Sequence, residues 1–224
     1  VLTLDIAVKG MMNVIDSCIK NKIKELYLAS SSEVYQTPNK IPTDESEPLK
    51  IPDIFNPRYS YGGGKILTEL MGIHYGKKYF KKLVIFRPHN VYGPAEGKEH
   101  VIPDFISKFK LLERKNKKFE IQGSGNEIRS FIYIDDFISA FNLILDRGKH
   151  LNIYNIGTSE RIRIRDLAYK MAKIYNKKIS IKKISLRKGS TKYRVPDIKK
   201  IKKLGFKPKY NLRKGLGKII SQKF

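Results

Sequence analysis

Apolar positions along this 224-residue chain change their period repeatedly, and each change predicts an element. Between residues 4 and 20 they recur at helical spacing through Ile6, Met11, Val14, Ile15 and Cys18. Residues 25–29 form a short apolar run between polar flanks, the pattern of a buried strand. Residues 30–56 are rich in Ser, Pro and acidic side chains and read as loop. A helix over 60–78 and a strand over 83–86 follow. Strand, crossover helix and strand make the parallel-sheet unit of an α/β protein. Further on, the pattern predicts helices over 101–113, 134–145 and 164–175, and strands over 119–122 and 151–154. The acidic pair Asp135 and Asp136 suits a helix start, and Pro196-Asp197 predicts another. No repeat and no low-complexity linker interrupts the pattern.

Composition narrows the class. Hydrophobic residues make up 41% and charged residues 30%, a globular balance. No apolar run reaches the roughly 18 residues that would predict a membrane span. The first ten residues lack the basic start and apolar run of a signal peptide, and the chain opens without Met directly into a helical pattern. The expectation is a chain that has lost its beginning. The single cysteine, Cys18, falls within that pattern as a small core residue and fits a reducing cytoplasm. Lys plus Arg number 46 against 21 acidic residues, giving a net charge of +25. The cations are scattered, and there is neither a zinc-ligand cluster nor a stacking platform, so no metal and no nucleic-acid partner is expected. Such a surface would still attract an anionic ligand.

Candidate chemistry gathers around one helix. Tyr61 and Lys65 are four residues apart and share a face. Upstream, the strand at 25–29 runs into Ser30-Ser31-Ser32-Glu33-Val34-Tyr35. Groups that follow a parallel strand stand at the carboxyl edge of the sheet, where open α/β sheets bind ligands. A free tyrosine has a pKa near 10 and is a poor base at neutral pH. An adjacent ammonium favours the phenolate, and a serine hydroxyl orients the same substrate oxygen. The three together can deprotonate a secondary alcohol while hydride leaves for a nicotinamide. Each piece alone is a weak pattern; the order strand, serines, Tyr/Lys helix, strand strengthens it.

These segments resemble the extended short-chain dehydrogenase/reductase family, in particular its NAD-dependent nucleotide-sugar epimerases and dehydratases. The resemblance rests on Leu-Ala-Ser-Ser-Ser-Glu-Val-Tyr at 28–35 and Asn-Pro-Arg-Tyr-Ser-Tyr-Gly-Gly-Gly-Lys at 56–65 with Glu69. It extends to Phe-Arg-Pro-His-Asn-Val-Tyr-Gly-Pro at 86–94, to 121–136, and to Tyr-Arg-Val-Pro-Asp-Ile at 193–198 before Leu204-Gly205-Phe206. It implies a doubly wound, Rossmann-type parallel sheet lacking its first strands, with a smaller mixed α/β substrate domain. Residues 1–92 and 125–158 would be the remainder of the dinucleotide-binding domain, and 93–124 and 159–224 the substrate domain. Ser31, Tyr61, Lys65 and Glu33 would take the catalytic places. Ser30, Tyr61, Lys65, Arg87 and Pro88 would meet NAD. Asn90, Arg129 and Arg194 would meet a nucleotide-diphosphate sugar, for whose diphosphate guanidinium forks are suited. A cytoplasmic homodimer built through the Tyr-x-x-x-Lys helix is also implied.

The departures matter as much. The Gly-x-x-Gly-x-x-Gly turn that receives the cofactor pyrophosphate is absent, and roughly the first third of the family's domain with it. The remaining sheet edge should then expose apolar surface. Ala7 stands where the family often has asparagine. Gly62-Gly63-Gly64 should weaken a helix, and would allow close approach of either the cofactor or a neighbouring helix. The family's 4,6-dehydratases carry Asp-Glu after the catalytic Ser/Thr, where this chain has Ser32-Glu33. A hydroxyl is a poor proton donor to a leaving group, so dehydration is disfavoured and epimerisation expected. Ser-Glu-Val-Tyr also resembles the UDP-glucuronate decarboxylases. A catalytically silent basic binding protein is the expectation from another class.

Overall fold

A computed structural model of the protein describes residues 1–97, 99–112, 118–186 and 188–221. The N-terminal helix is built from α1 (Leu2–Asp5), a π-helical stretch (Ile6–Gly10) and α2 (Met11–Lys20). Strand β1 (Glu25–Ala29) leads into a 3₁₀ turn (Ser32–Tyr35), then helix α3 (Tyr59–Tyr79) and strand β2 (Lys82–Pro88). Beyond β3 (Val91–Tyr92) lie α4 (Val101–Leu111) and β4 (Lys118–Gln122). The expected end of α4 at 113 falls outside the described residues. Next come β5 (Ile128–Arg129), β6 (Ile132–Tyr133), α5 (Ile134–Arg147) and β7 (Asn152–Ile156). The chain ends through β8 (Ile162–Arg163), α6 (Ile164–Ile174), β9 (Ser180–Ile184), β10 (Tyr193–Arg194), α7 (Lys199–Lys202) and α8 (Leu212–Ser221).

The central sheet has the order β1-β2-β7, parallel throughout, with Ala29 opposite Phe86 and Phe86 opposite Tyr154. Alternation along β2 explains its two covered faces. Leu83 and Ile85 pack with Met11, Ile15 and Leu28 beneath α2 and α3. Val84 and Phe86 point the other way, to Ala140 and Ile144 of α5 and to Ile201 and Phe206. The architecture is therefore α/β and Rossmann-type, as expected. Among the described residues β1 has a partner strand on one side only, and Leu2, Ile6 and Val14 of the helix beside it are exposed. A further core of Phe105, Phe109, Phe119, Ile121, Leu167, Met171 and Leu216 joins α4, α6 and α8 to the parallel pair β4-β9.

The long elements up to α6 match their sequence pattern to within a few residues at either end, whereas β9 and α8, in the strongly basic tail, have no counterpart in it. Several of the two-residue strands have no counterpart in the reading of periodicity, because so short a segment carries no period. The helix expected from Pro196-Asp197 starts slightly later: Asp197 Oδ1 instead accepts the Lys199 backbone N–H at 2.7 Å and tethers the start of α7.

Candidate active site

Strand β1 delivers its carboxyl end to the middle of α3. Lys65 Nζ donates to the Ala29 carbonyl at 2.7 Å and stands 5.9 Å from the centre of the Tyr61 ring. Burial lowers the Lys65 pKa, and Glu69 one turn further along α3 opposes that shift. Tyr61 is 47% exposed, so its hydroxyl can be reached from outside the protein. Two residues beyond Ala29, Ser31 caps the 3₁₀ turn, its Oγ accepting the Glu33 N–H at 3.1 Å. Ser32 is buried within that turn.

The glycine triplet is explained by protein neighbours on three sides. A Cβ on Gly62 would stand 2.5 Å from Gln36 Nε2 and 3.0 Å from the Glu33 carbonyl oxygen. On Gly63 it would meet Ile51 Cδ1 at 3.2 Å, and on Gly64 the Ala7 Cβ at 2.8 Å. The glycines let α3 lie against the serine turn, the following loop and the N-terminal helix at once. Ala7 is thus a packing residue against α3.

Beside this edge opens a cleft of about 570 Å³ that gathers Glu33, Asn90, Arg129 and Arg194, with Arg58, Glu96 and His100 on its wall. Arg194 Nη1 lies 2.7 Å from Glu33 Oε1, and its Nη2 donates to Thr191 Oγ1 at 3.3 Å. Arg129 donates to the carbonyls of Ile128, Thr191 and Lys192, so its guanidinium is largely engaged in holding β5 to the segment that leads into β10. Burial, with Arg194 as a like charge nearby, pushes the Arg129 pKa down to about 10. Asn90 adopts φ +41° and donates from Nδ2 to the Ser130 carbonyl at 2.8 Å. Tyr61, Lys65 and Ser31 stand beside this cleft rather than on its wall.

Two residues expected at the cofactor are turned inward. Ser30 donates from Oγ to Glu69, and Arg87 is 2% exposed in a bidentate pair with the same carboxylate. Their side-chain polar groups are thus engaged within the protein. Pro88 remains half-buried at the end of β2, opposite Ile156. Sequence reasoning did not single out Arg58, Glu96 or His100. Arg58 lies inside the quoted 56–65 run, but Glu96 and His100 sit on a loop with no pattern to find them. Glu96 is 12% exposed at its side chain, its Oε2 has no hydrogen-bond partner among the described residues, and burial raises its pKa to about 8. His89 is fully buried, which pushes its pKa down to about 3 and keeps it neutral.

The chain as a whole has known counterparts. The family model for the NAD dependent epimerase/dehydratase family matches residues 1–157. The chain is 34% identical over 172 residues to a dTDP-D-glucose 4,6-dehydratase of Dictyostelium discoideum, an alignment covering 74% of this chain and 38% of that protein. It therefore spans about two-fifths of that relative's length. It is 33% identical over 230 residues to a putative UDP-glucose 4-epimerase of Methanocaldococcus jannaschii, covering 97% of this chain and 68% of the relative. A solved UDP-N-acetylglucosamine 4-epimerase from Methanobrevibacter ruminantium, in complex with UDP-N-acetylmuramic acid, superposes with a TM-score of 0.85 at 25% identity, over 96% of this chain and 68% of that one. With the family model matching more than half of its residues, and a relative a third identical along nearly its whole length, the chain belongs to the NAD dependent epimerase/dehydratase family.

Proposed function

We propose that this chain carries the proton-transfer and sugar-nucleotide groups of an NAD-dependent nucleotide-sugar epimerase that works through a transient keto sugar. The observation that carries the reading is Lys65, 5.9 Å from the Tyr61 ring centre and anchored on Ala29 at the end of β1. Tyr61 takes the proton of a sugar hydroxyl and returns it after the ring has turned over. Lys65 holds positive charge beside the phenol throughout. Ser31 offers its hydroxyl to the same sugar oxygen. Arg194 binds the diphosphate, with Asn90 and Arg129 fixing the walls against which it lies.

NAD fits the nicotinamide end of this site, where Tyr61 and Lys65 are open at the sheet edge, and there it supplies a hydride acceptor and donor. No glycine-rich turn for its pyrophosphate occurs in the sequence. The family and the relatives' names support nucleotide-sugar chemistry in general; Ser32, buried where the dehydratases of the resemblance place an acid, supports epimerisation over loss of water. The exposed Leu67 and Leu70 of α3, and the exposed Leu4 and Val14 of the N-terminal helix, support a homodimer through α3.

Decarboxylation is the second reading, because the Glu33–Arg194 pair places a carboxylate and a guanidinium in one cleft. The test is incubation of the protein with NAD and a panel of UDP- and dTDP-sugars, followed by mass spectrometry and chromatography. An isomer of unchanged mass supports the epimerase; loss of carbon dioxide replaces it with the decarboxylase. A 6-deoxy-4-keto product overturns both.

A further inference from the structure

Glu69 is buried at 4% exposure, yet its carboxylate collects donors from two strands. Ser30, at the end of β1, donates to Oε1. Arg87, near the end of β2, donates from Nε to Oε1 at 2.8 Å and from Nη2 to Oε2 at 2.6 Å. The network continues outward. Arg87 Nη1 donates to the Tyr35 hydroxyl at 2.7 Å, within the 3₁₀ turn that also carries Glu33. Tyr35 donates to Asn155 Oδ1 at 2.8 Å on β7. Burial works against the Arg87 charge, but Glu69 and Tyr35 more than offset it and hold its pKa above the usual value.

On α3, Tyr61, Lys65 and Glu69 follow one another at four-residue intervals along one stripe. A buried ion pair is weak grounds for stability, since apolar residues of similar volume often serve as well. What this pair does that apolar residues could not is fix direction. A forked guanidinium on a carboxylate sets the distance and the angle between its two elements. Here it joins the helix of the reacting pair to both strands whose ends frame the site.

We propose that Glu69 and Arg87 are positioning residues: their bidentate pair, with Ser30 and Tyr35, sets where Tyr61 and Lys65 stand relative to the serine turn. The part concerning catalysis rests on the reading of Tyr61 and Lys65 given above; the part concerning geometry does not. Glu69 favours the charged form of Lys65 against burial, and Lys65 also stands over the Tyr61 ring and donates to the Ala29 carbonyl.

The experiment compares the full chain with Glu69→Gln and with the double variant Glu69→Gln/Arg87→Met, which removes the charge that the single change would strand. Folding is checked by cooperative thermal melting. The ionisation of Lys65 is followed by NMR of labelled lysines, its signal identified by Lys65→Arg. In a folded variant Lys65 is expected to titrate at lower pH than in the parent, since burial is then unopposed. Turnover of the nucleotide sugar found active above should fall about 10²-fold in kcat with KM little changed, as for a small misplacement of reacting groups. A folded variant whose Lys65 titrates as in the parent overturns the proposal, and so does one that keeps the parent's kcat. If the parent turns over no nucleotide sugar, the functional reading fails on its own, and a crystal structure of the folded variant then decides the geometric part: Lys65 Nζ still seated 2.7 Å from the Ala29 carbonyl overturns the proposal.

Discussion

Arg194 and Glu33 form an ion pair across the cleft, Nη1 to Oε1 at 2.7 Å, with 13% and 27% of the side chains exposed. The arginine read as the diphosphate ligand is thus held by the glutamate of the serine turn. A diphosphate arriving at Arg194 competes with that carboxylate, and binding it leaves Glu33 without its partner. Both events happen within one cavity, so ligand binding and the state of Glu33 are linked.

Glu33→Gln should therefore bind UDP or dTDP more tightly than the parent. A partly exposed pair of this kind is worth about 1 kcal/mol, or about fivefold in affinity. Arg194→Ala should weaken binding by more than that, because it removes a ligand. Calorimetric titration with the nucleotide alone measures both. Equal or weaker binding by Glu33→Gln would show that the carboxylate does not compete for Arg194.

Tyr61→Phe should leave the fold intact, since Tyr61 is 47% exposed and its hydroxyl makes no hydrogen bond among the described residues. Turnover should fall by roughly 10²–10⁴-fold with KM little changed. Lys65→Arg keeps a cation but not the compact ammonium that reaches the Ala29 carbonyl, and should recover only part of what Lys65→Met loses. Steady-state kinetics on the active nucleotide sugar is the measurement.

Three glycine substitutions should give three different signs in urea unfolding. Gly217→Ala in α8 meets nothing within 4 Å and should stabilise by up to about 1 kcal/mol. Gly63→Ala meets only the flexible end of Ile51 at 3.2 Å and should be near neutral. Gly64→Ala faces the Ala7 Cβ at 2.8 Å, where two helices must move apart, and should destabilise by about 1–3 kcal/mol despite its better helix propensity.

Glu96 links stability to pH. Burial raises its pKa from the usual 4.5 to about 8, so the folded state favours the protonated form. Its contribution is fully present below pH 4.5 and is lost as pH rises through about 8. Glu96→Gln, which stays neutral, should match the parent in Tm at acid pH and exceed it by a margin that grows between pH 4.5 and about 8 and then levels off. Melting curves from pH 5 to 9 test this; a constant difference would mean that Glu96 is charged in the folded protein throughout.

The legible part of this protein was the part with a period or a motif. Helices α2 to α6 and the strands of the central sheet repeat their apolar positions often enough to be read, whereas the ten-residue α8 in the basic tail was not legible. Tyr61 and Lys65 could be paired from sequence because helix geometry relates residues four apart wherever the helix lies. The strand–serine–helix order likewise needed only the rule that functional groups gather at the carboxyl edge of a parallel sheet.

Only the tertiary structure decided how residues far apart in the chain use their polar groups. Ser30 and Arg87 look like cofactor ligands by position, yet 39 and 18 residues of chain separate them from Glu69, the carboxylate that takes both. Arg129 and Arg194 are alike in sequence, but one is engaged by backbone carbonyls and the other by Glu33. Glu96 belongs to a loop without pattern, and its unusual ionisation comes from burial. Local spacing dictates which residues share a face of one element. Whether a charge on that face meets solvent, a ligand or a buried partner depends on desolvation and on packing between elements, and those exist only once the chain has folded.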